Sequence, residues 1–333
     1  MNIHEKYMHR CIQLAANGLG TTYPNPLVGC VIVLDDHIIG EGWHYAAGQP
    51  HAEVNAINNA KSAGFTEAQF SKATLYVSLE PCSHHGKTPP CADLVIASGF
   101  KTVIIGTLDP HHKVAGNGVK KLQDARITTT VGILSGSCNA LNKRFFTFHK
   151  QQRPYIILKW AETADSFIAP IHKNEQKPVW ITNEYSRQHV HKTRAQEHAI
   201  LVGAGTAIVD NPSLDVRSWS GMNPKRYVVA NRDLPQSLKL IQGNNPAIIL
   251  EEQSPKSIVS KLFEHGIQSV IIEGGSKTIQ AFIDSGLWDE AHIYTGKSVL
   301  FKEGVAAPKL AGRFELSNST AFKKDLLNVY KKA

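Results

Sequence analysis

The chain has 333 residues, of which 42% are hydrophobic and 19% charged, a composition that suits a globular protein of two domains and excludes a disordered chain. Its formal charge is +8 and its pI about 9.1, yet the cations fall in short clusters such as Lys323-Lys324 and Lys331-Lys332. No basic stretch is interleaved with aromatics as a nucleic-acid groove requires, and no apolar run is long enough to span a bilayer, so neither nucleic acid nor membrane is an expected partner.

From the N-terminus, apolar residues at Tyr7, Met8, Cys11, Ile12, Leu14 and Ala15 follow a helical period, and no secretory signal pattern is read there. Cys30-Val-Ile-Val-Leu34, Asp35-Asp36 and His37-Ile-Ile39 read as strand, turn and strand. His51 opens a run of helix formers to Lys61, and Ala73 to Leu79 is a short β-rich run. A helix near 92–98, a strand at 102–105 and a helix near 119–124 complete an α/β layer arrangement. Residues 149–154 are polar, end in proline and interrupt the apolar pattern. They are the expected linker between a domain of residues 1–148 and one of residues 155–333.

A second series begins at Tyr155-Ile-Ile-Leu158, with strands expected at 199–202, 226–229, 247–250 and 270–273 and helices around 184–197, 256–264 and 278–285. Ser254 and Pro255 suit the cap and first turn of the second helix. Residues 320–330 have no clear periodicity. Two glycine-rich turns follow strands, Gly203-Ala-Gly205-Thr206 and Gly274-Gly275-Ser276. Glycine lets backbone approach a phosphate, and a following helix N-terminus adds N–H donors, although each turn alone reads better as a tight connection. Gly203-Ala-Gly-Thr-Ala-Ile208 lacks the third glycine of the dinucleotide fingerprint, so a Rossmann domain is not supported.

The chemistry-bearing constellation lies in the first series: His51-Ala-Glu53, then Pro81-Cys82 and Cys91. Structural zinc usually closes its tetrahedron with four side chains. Three ligands leave a position for water, whose pKa the metal lowers to roughly 7. His51, Cys82 and Cys91 are therefore the expected ligands of one zinc per chain, and Glu53, not needed as a ligand, is the expected proton carrier. His-x-Glu with a later Pro-Cys-x-x-Cys is the pattern of the zinc nucleobase deaminases, and here the second cysteine lies further away. The ligands would stand at helix N-termini, where N–H groups favour thiolate. Of five cysteines, Cys11, Cys30 and Cys138 remain in apolar contexts, which fits a reducing compartment and a cytoplasmic location.

The stretch Cys82-Ser-His-His-Gly-Lys-Thr-Pro-Pro-Cys91, with Asn25-Pro-Leu-Val-Gly29 and Gly42-Trp-His44, resembles the deaminase half of the bifunctional riboflavin-biosynthesis deaminase/reductases. Trp180-Ile-Thr182, Val190-His-Lys-Thr-Arg-Ala-Gln196 and the stretch from Ala199 to Arg217 resemble the reductase half. The resemblance implies an α/β chain, with an N-terminal cytidine-deaminase-like α/β/α domain followed by a dihydrofolate-reductase-like α/β domain. It implies that Asn25, His44, Lys87, Thr88 and Asp109 bind the deaminase substrate. In the second half it implies NADPH, with Ala161, Trp180, Thr206, Asp210, Gly274 and Gly275 at cofactor positions and Lys159, Arg194, Leu214, Arg217 and Glu273 at substrate or active-site positions.

These residue types suit a phosphorylated ribosylaminopyrimidine. Asn25 can bond a ring edge through donor and acceptor, Lys87 and His44 can balance phosphate charge, and Arg194 and Arg217 can bind oxyanions bidentately. The chain departs from the family in four places: His111 and Asn117 stand where Asn and a basic residue are common; Thr163-Ala-Asp-Ser-Phe-Ile-Ala169 replaces a Ser-Leu-Asp-Gly-basic turn; and Pro178 replaces a serine. The expected protein is a homo-oligomer acting on a small molecule. It would deaminate 2,5-diamino-6-(5-phosphoribosylamino)pyrimidin-4-one and then reduce the ribosyl group of the product to ribityl. The alternatives weighed against it are a nucleoside or RNA deaminase with an auxiliary domain, and a non-catalytic zinc module that binds RNA.

Overall fold

The opening helix runs Ile3–Ala16 (α1), capped by Asn2, and buries Tyr7, Met8, Cys11, Leu14 and Ala15. Next come Gly29–Leu34 (β1) and His37–Trp43 (β2), joined by Asp35 and Asp36 at φ 49° and 60°, the left-handed pair that a two-residue hairpin needs. Ala52–Ser62 (α2), Glu67–Phe70 (α3), Thr74–Val77 (β3), Cys91–Ala97 (α4), Thr102–Ile105 (β4), Asn117–Asp124 (α5), Thr128–Val131 (β5), Ser135–Leu141 (α6) and Lys143–Gln151 (α7) follow. This is a computed structural model, and it describes residues 2–84, 89–110, 115–172, 176 and 179–333. The chain divides into two units, Met1–Gln151 and Gln152–Ala333. The expected linker therefore begins inside α7, which continues through His149 to Gln151.

In the first unit the sheet order is β2-β1-β3-β4-β5, with β1 antiparallel to both neighbours and β3, β4 and β5 parallel. Alternate residues feed two cores. Cys30, Ile32, Leu75, Val77, Val103 and Ile105 join α2 and α4 on one face, while Val31, Val33, Tyr76 and Ile104 join α1 and α6 on the other. Burial on both faces explains why these strands read as continuous apolar runs, and it makes this unit an α/β/α sandwich. Gly42 lets α2 lie directly on β2, because a Cβ there would stand 2.6 Å from the Ala56 amide nitrogen.

The second unit contains Tyr155–Thr163 (β6), Phe167–Ala169 (β7), Glu184–Gln196 (α8), Ala199–Gly203 (β8), Ala204–Asp210 (α9), Lys225–Val229 (β9), Ile248–Leu250 (β10), Pro255–Glu264 (α10), Ser269–Glu273 (β11), Ser276–Asp284 (α11), Glu290–Gly296 (β12), Val305–Ala306 (β13), Phe314–Phe322 (β14) and Asp325–Lys332 (β15). Ser254 caps α10 through the Ser257 amide, with Pro255 in the first turn. The main sheet runs β10-β9-β8-β11-β6-β12-β15-β14, parallel through β12 and antiparallel beyond; β7 and β13 form a separate pair. Ile156, Leu158, Leu201, Val270 and Ile272 pack with α10 and α11, while Ile200, Val202 and Ile271 pack on the other face with Ala207 of α9.

The departure at residues 163–169 has a visible consequence. Ser166, where the family turn has glycine, sits at φ 64°, and the Asp165 carboxylate holds the turn by accepting from Thr163 Oγ1 and the Lys302 amide at 2.8 Å. A side chain in the left-handed region costs roughly 1–2 kcal/mol, partly offset by the greater unfolded-state entropy of glycine. Ser166→Gly is therefore expected to raise unfolding stability by about 0.5–1 kcal/mol in urea titration; a loss would mean that the serine is positively required.

Candidate active sites

The zinc-ligand residues converge in the first unit. His51 is the N-cap of α2, Cys91 is the first residue of α4, and Cys82 lies in the loop after β3, where its Sγ accepts from the Cys91 amide at 3.2 Å. His51 Nδ1 is 3.2 Å from Cys91 Sγ and 3.7 Å from Cys82 Sγ, and the three donor atoms all lie within 4.8 Å of one another. A tetrahedral zinc with Zn–S of about 2.3 Å and Zn–N of about 2.0 Å has ligand–ligand edges of about 3.5–3.8 Å, so the donor set fits the ion. It is the one such His/Cys/acid group among the described residues.

The surrounding electrostatics are those of a shared-proton cluster. The Cys82 thiol is drawn down, first by the hydrogen bond with Cys91, whereas the same bond, with burial, pushes Cys91 up. His51 is raised by its bond to Cys82. Glu53, in the first turn of α2, is 3% exposed, and its carboxyl feels the charges of Cys82 and His51 and the Cys91 thiol. Burial, then the Cys82 charge, pushes it up to about 7.

His44 and Asn25 form one wall of this site. His44 is 3% exposed and packs edge-on to His51 with ring centroids 5.3 Å apart. Its Nδ1 donates to the Pro50 carbonyl at 3.1 Å and its Nε2 accepts from Asn25 Nδ2 at 3.0 Å, while burial lowers its pKa. A neutral imidazole with both nitrogens engaged does not balance a phosphate charge, contrary to the expectation from its residue type; it orients Asn25 instead. Asp109 is half-buried beyond β4, and its amide donates to Glu80 at 3.2 Å. Lys87, Thr88 and His111 lie outside the described residues. Glu80, to which the sequence reading gave no role, proves to be a buried carboxylate at 4% exposure.

All eleven residues expected at the second site line a single cleft of about 1580 Å³, at the carboxyl ends of β8, β11 and β6 where open α/β sheets bind ligands. They are Ala161, Trp180, Thr206, Asp210, Gly274 and Gly275 with Lys159, Arg194, Leu214, Arg217 and Glu273. Gly274 and Gly275 adopt φ 85° and 77° at the start of α11, and a Cβ on Gly274 would meet Thr206 Cγ2 at 2.6 Å. These glycines are required by backbone and packing alike. Their turn leaves the N-terminal amides of α11 at the cleft, as a phosphate cradle would. Pro178 lies outside the described residues.

The two arginines differ. Arg194 pairs with Glu273 through Nε at 3.1 Å and Nη2 at 2.7 Å, and its Nη1 donates to the Asp215 carbonyl at 3.2 Å. Its bidentate face therefore serves Glu273, not an incoming oxyanion. Glu273 is paired in register with Lys159 on the neighbouring strand, with Lys159 Nζ 3.8 Å away and lying 5.6 Å from the Tyr294 ring centroid. Burial alone would raise Glu273, but Arg194 and Lys159 outweigh it and hold it at about 2; burial lowers Lys159. Arg217, half-exposed, pairs only with Asp215 among the described residues and faces the cleft rim.

Residues 1–107 match the cytidine and deoxycytidylate deaminase zinc-binding region, and residues 154–325 match the RibD C-terminal domain. The riboflavin biosynthesis protein RibD of Aquifex aeolicus is 36% identical over 324 residues, covering 90% of this chain and 88% of that protein. The Escherichia coli K12 protein of the same name is 34% identical over 358 residues, covering 96% and 94%. A crystal structure of a diaminohydroxyphosphoribosylaminopyrimidine deaminase/5-amino-6-(5-phosphoribosylamino)uracil reductase from Thermotoga maritima superposes with a TM-score of 0.89 at 36% identity, over 99% of each chain. Acinetobacter baumannii RibD gives 0.88 at 34%, also over 99% of each. Matched along nearly its whole length by proteins that carry both halves in the same order, the chain belongs to the RibD family of riboflavin biosynthesis proteins.

Proposed function

We propose that the first unit hydrolytically deaminates 2,5-diamino-6-(5-phosphoribosylamino)pyrimidin-4-one and that the second reduces the ribosyl side chain of the product with NADPH, giving 5-amino-6-(5-phosphoribitylamino)uracil. The observation that carries this reading is the convergence of His51, Cys82 and Cys91, with the buried carboxyl of Glu53 two residues beyond His51, in one chain with the reductase-family cleft. Bound zinc supplies an activated water at neutral pH. Glu53 moves protons between that water, the ring nitrogen and the departing ammonia. Asn25, hydrogen-bonded to His44, bonds the pyrimidine edge in this reading. NADPH would supply hydride in the second unit; the Gly274-Gly275 turn and α11 would hold its phosphates, and Lys159, Glu273 and Arg217, which line the same cleft, would meet the substrate.

Incubating the purified protein with the pyrimidine phosphate should release ammonia, and adding NADPH should then consume its absorbance; failure of either step with folded, zinc-loaded protein refutes that half of the proposal. Because Arg217 stands at an exposed rim, Arg217→Ala is expected to cost about 1 kcal/mol, seen as a severalfold higher KM in reduction of supplied ribosylaminouracil phosphate, with ammonia release unchanged. A loss of deamination in this variant would favour one composite site.

A further inference from the structure

Glu80 makes an arrangement that the proposed chemistry does not use. It follows β3, two residues before the zinc-ligand candidate Cys82, and is 4% exposed. Among the described residues, its side chain is held by main-chain N–H groups. Oε2 accepts from the amides of Asp109 at 3.2 Å and Gly116 at 3.0 Å, and Oε1 accepts from Gly118 at 2.8 Å and Val119 at 3.2 Å. One oxygen thus holds together the two ends of the segment 109–116, while the other satisfies the first amides of α5, whose N-cap is Gly116.

The same short segment fixes the loop in two further ways. The Glu80 amide donates to the Thr107 carbonyl at 2.9 Å, joining the carboxyl ends of the parallel neighbours β3 and β4. Gly118 lies so close to the chain beside Glu80 that a Cβ would stand 2.1 Å from the Pro81 carbonyl oxygen. Glu80-Pro81-Cys82 therefore carries a zinc-ligand candidate at one end and, at the other, the carboxylate that ties Asp109 to Gly116. Any displacement of Asp109 or Gly116 relative to Cys82 has to break a buried hydrogen bond to a carboxylate oxygen.

We infer that Glu80 is a positioning residue of the deaminase: it sets Asp109 in register with the zinc site and so governs how well substrate binds. It rests on the reading of Asp109 as a substrate contact. A carboxylate suits this place where an amide does not. Both oxygens of Glu80 face donors, so the NH2 group of glutamine would point at two N–H groups whichever way it turned. Glu80→Gln should loosen this tie at nearly constant volume.

The test is a double-mutant cycle on the zinc-loaded full chain, with deamination KM and kcat, zinc content, thermal midpoint and reductase rate measured for Glu80→Gln, Asp109→Ala and the double variant. Glu80→Gln is expected to raise the deamination KM by about tenfold or more, with zinc at one per chain and the reductase rate unchanged. In the Asp109→Ala background, where KM is already high, the same change should add little. If KM stays at the wild-type value while only the thermal midpoint falls, Glu80 is a structural staple and the inference fails. It fails equally if the two effects on KM multiply, or if Asp109→Ala leaves KM unaltered. Should Glu80→Gln not fold, Glu80→Asp, which keeps the charge and shortens the reach, carries the same comparison. Absence of ammonia release by the wild-type chain would instead refute the deaminase reading itself.

Discussion

Glu53→Gln is expected to abolish most deamination, lowering the rate by about 10²–10⁴-fold, while leaving one zinc per chain and an unchanged rate of NADPH oxidation with supplied ribosylaminouracil phosphate. Glutamine preserves the volume of a side chain that is 3% exposed and packed against the Cys91 thiol, so α2 and its N-cap His51 keep their places. The substitution removes only the capacity to take up and return a proton. The three candidate ligands lie outside the change, and the reductase cleft is lined solely by residues of the second unit. Metal analysis, ammonia release and NADPH absorbance on one preparation decide the matter. Near-normal ammonia release would remove Glu53 from the chemistry, and loss of zinc would make it part of the metal-holding structure.

The largest effect on stability is expected at the Arg194–Glu273–Lys159 cluster. Glu273 is 7% exposed and neutralises two cations, one of them through a bidentate pair. Glu273→Gln removes the charge that neutralises both cations, and breaking such a pair costs about 3–5 kcal/mol. Trp160 and Trp288 lie in the core of this unit, so tryptophan fluorescence during urea unfolding reports the loss. The pH dependence has a fixed sign. Glu273 is held at about 2 against its ordinary 4.5, so the unfolded chain binds more protons in that window. Its stabilisation is complete above about pH 5 and fades as the pH falls through 4.5 toward 2, so the gap between wild type and variant should narrow from about pH 6 to about pH 3. A difference below about 1 kcal/mol, or a gap that does not change with pH, would contradict this account.

Much of the first unit was legible because its signals are local. The apolar runs at 30–34, 73–79 and 102–105 are strands buried on both faces, and His51, Glu53, Cys82 and Cys91 lie at helix starts and in the loop after β3. Elements without a buried stripe escaped notice. β5 is a threonine-rich edge strand, and β14 exposes most of its residues, so neither shows the alternation that betrays a strand. The helix α7 was missed because its polar last turn reads as a linker although Phe145 and Thr147 are buried.

The sites divide along the same line. Residue type and spacing picked out the His51, Cys82 and Cys91 cluster, the nearby carboxylate Glu53, the glycine turn at 274–275 and, through resemblance, the positions that line the second cleft. Spacing is informative there because a helix start or a tight turn fixes nearby side chains through backbone geometry alone. Only the tertiary structure decided which charges meet. Arg194 reaches Glu273 across 79 residues, Glu80 reaches Val119 across 39, and burial lowers the pKa of His44, whose ring nitrogens meet the Pro50 carbonyl and Asn25. Each of these outcomes depends on desolvation and on hydrogen-bond partners brought together by sheet order, neither of which is encoded in the neighbourhood of any one residue.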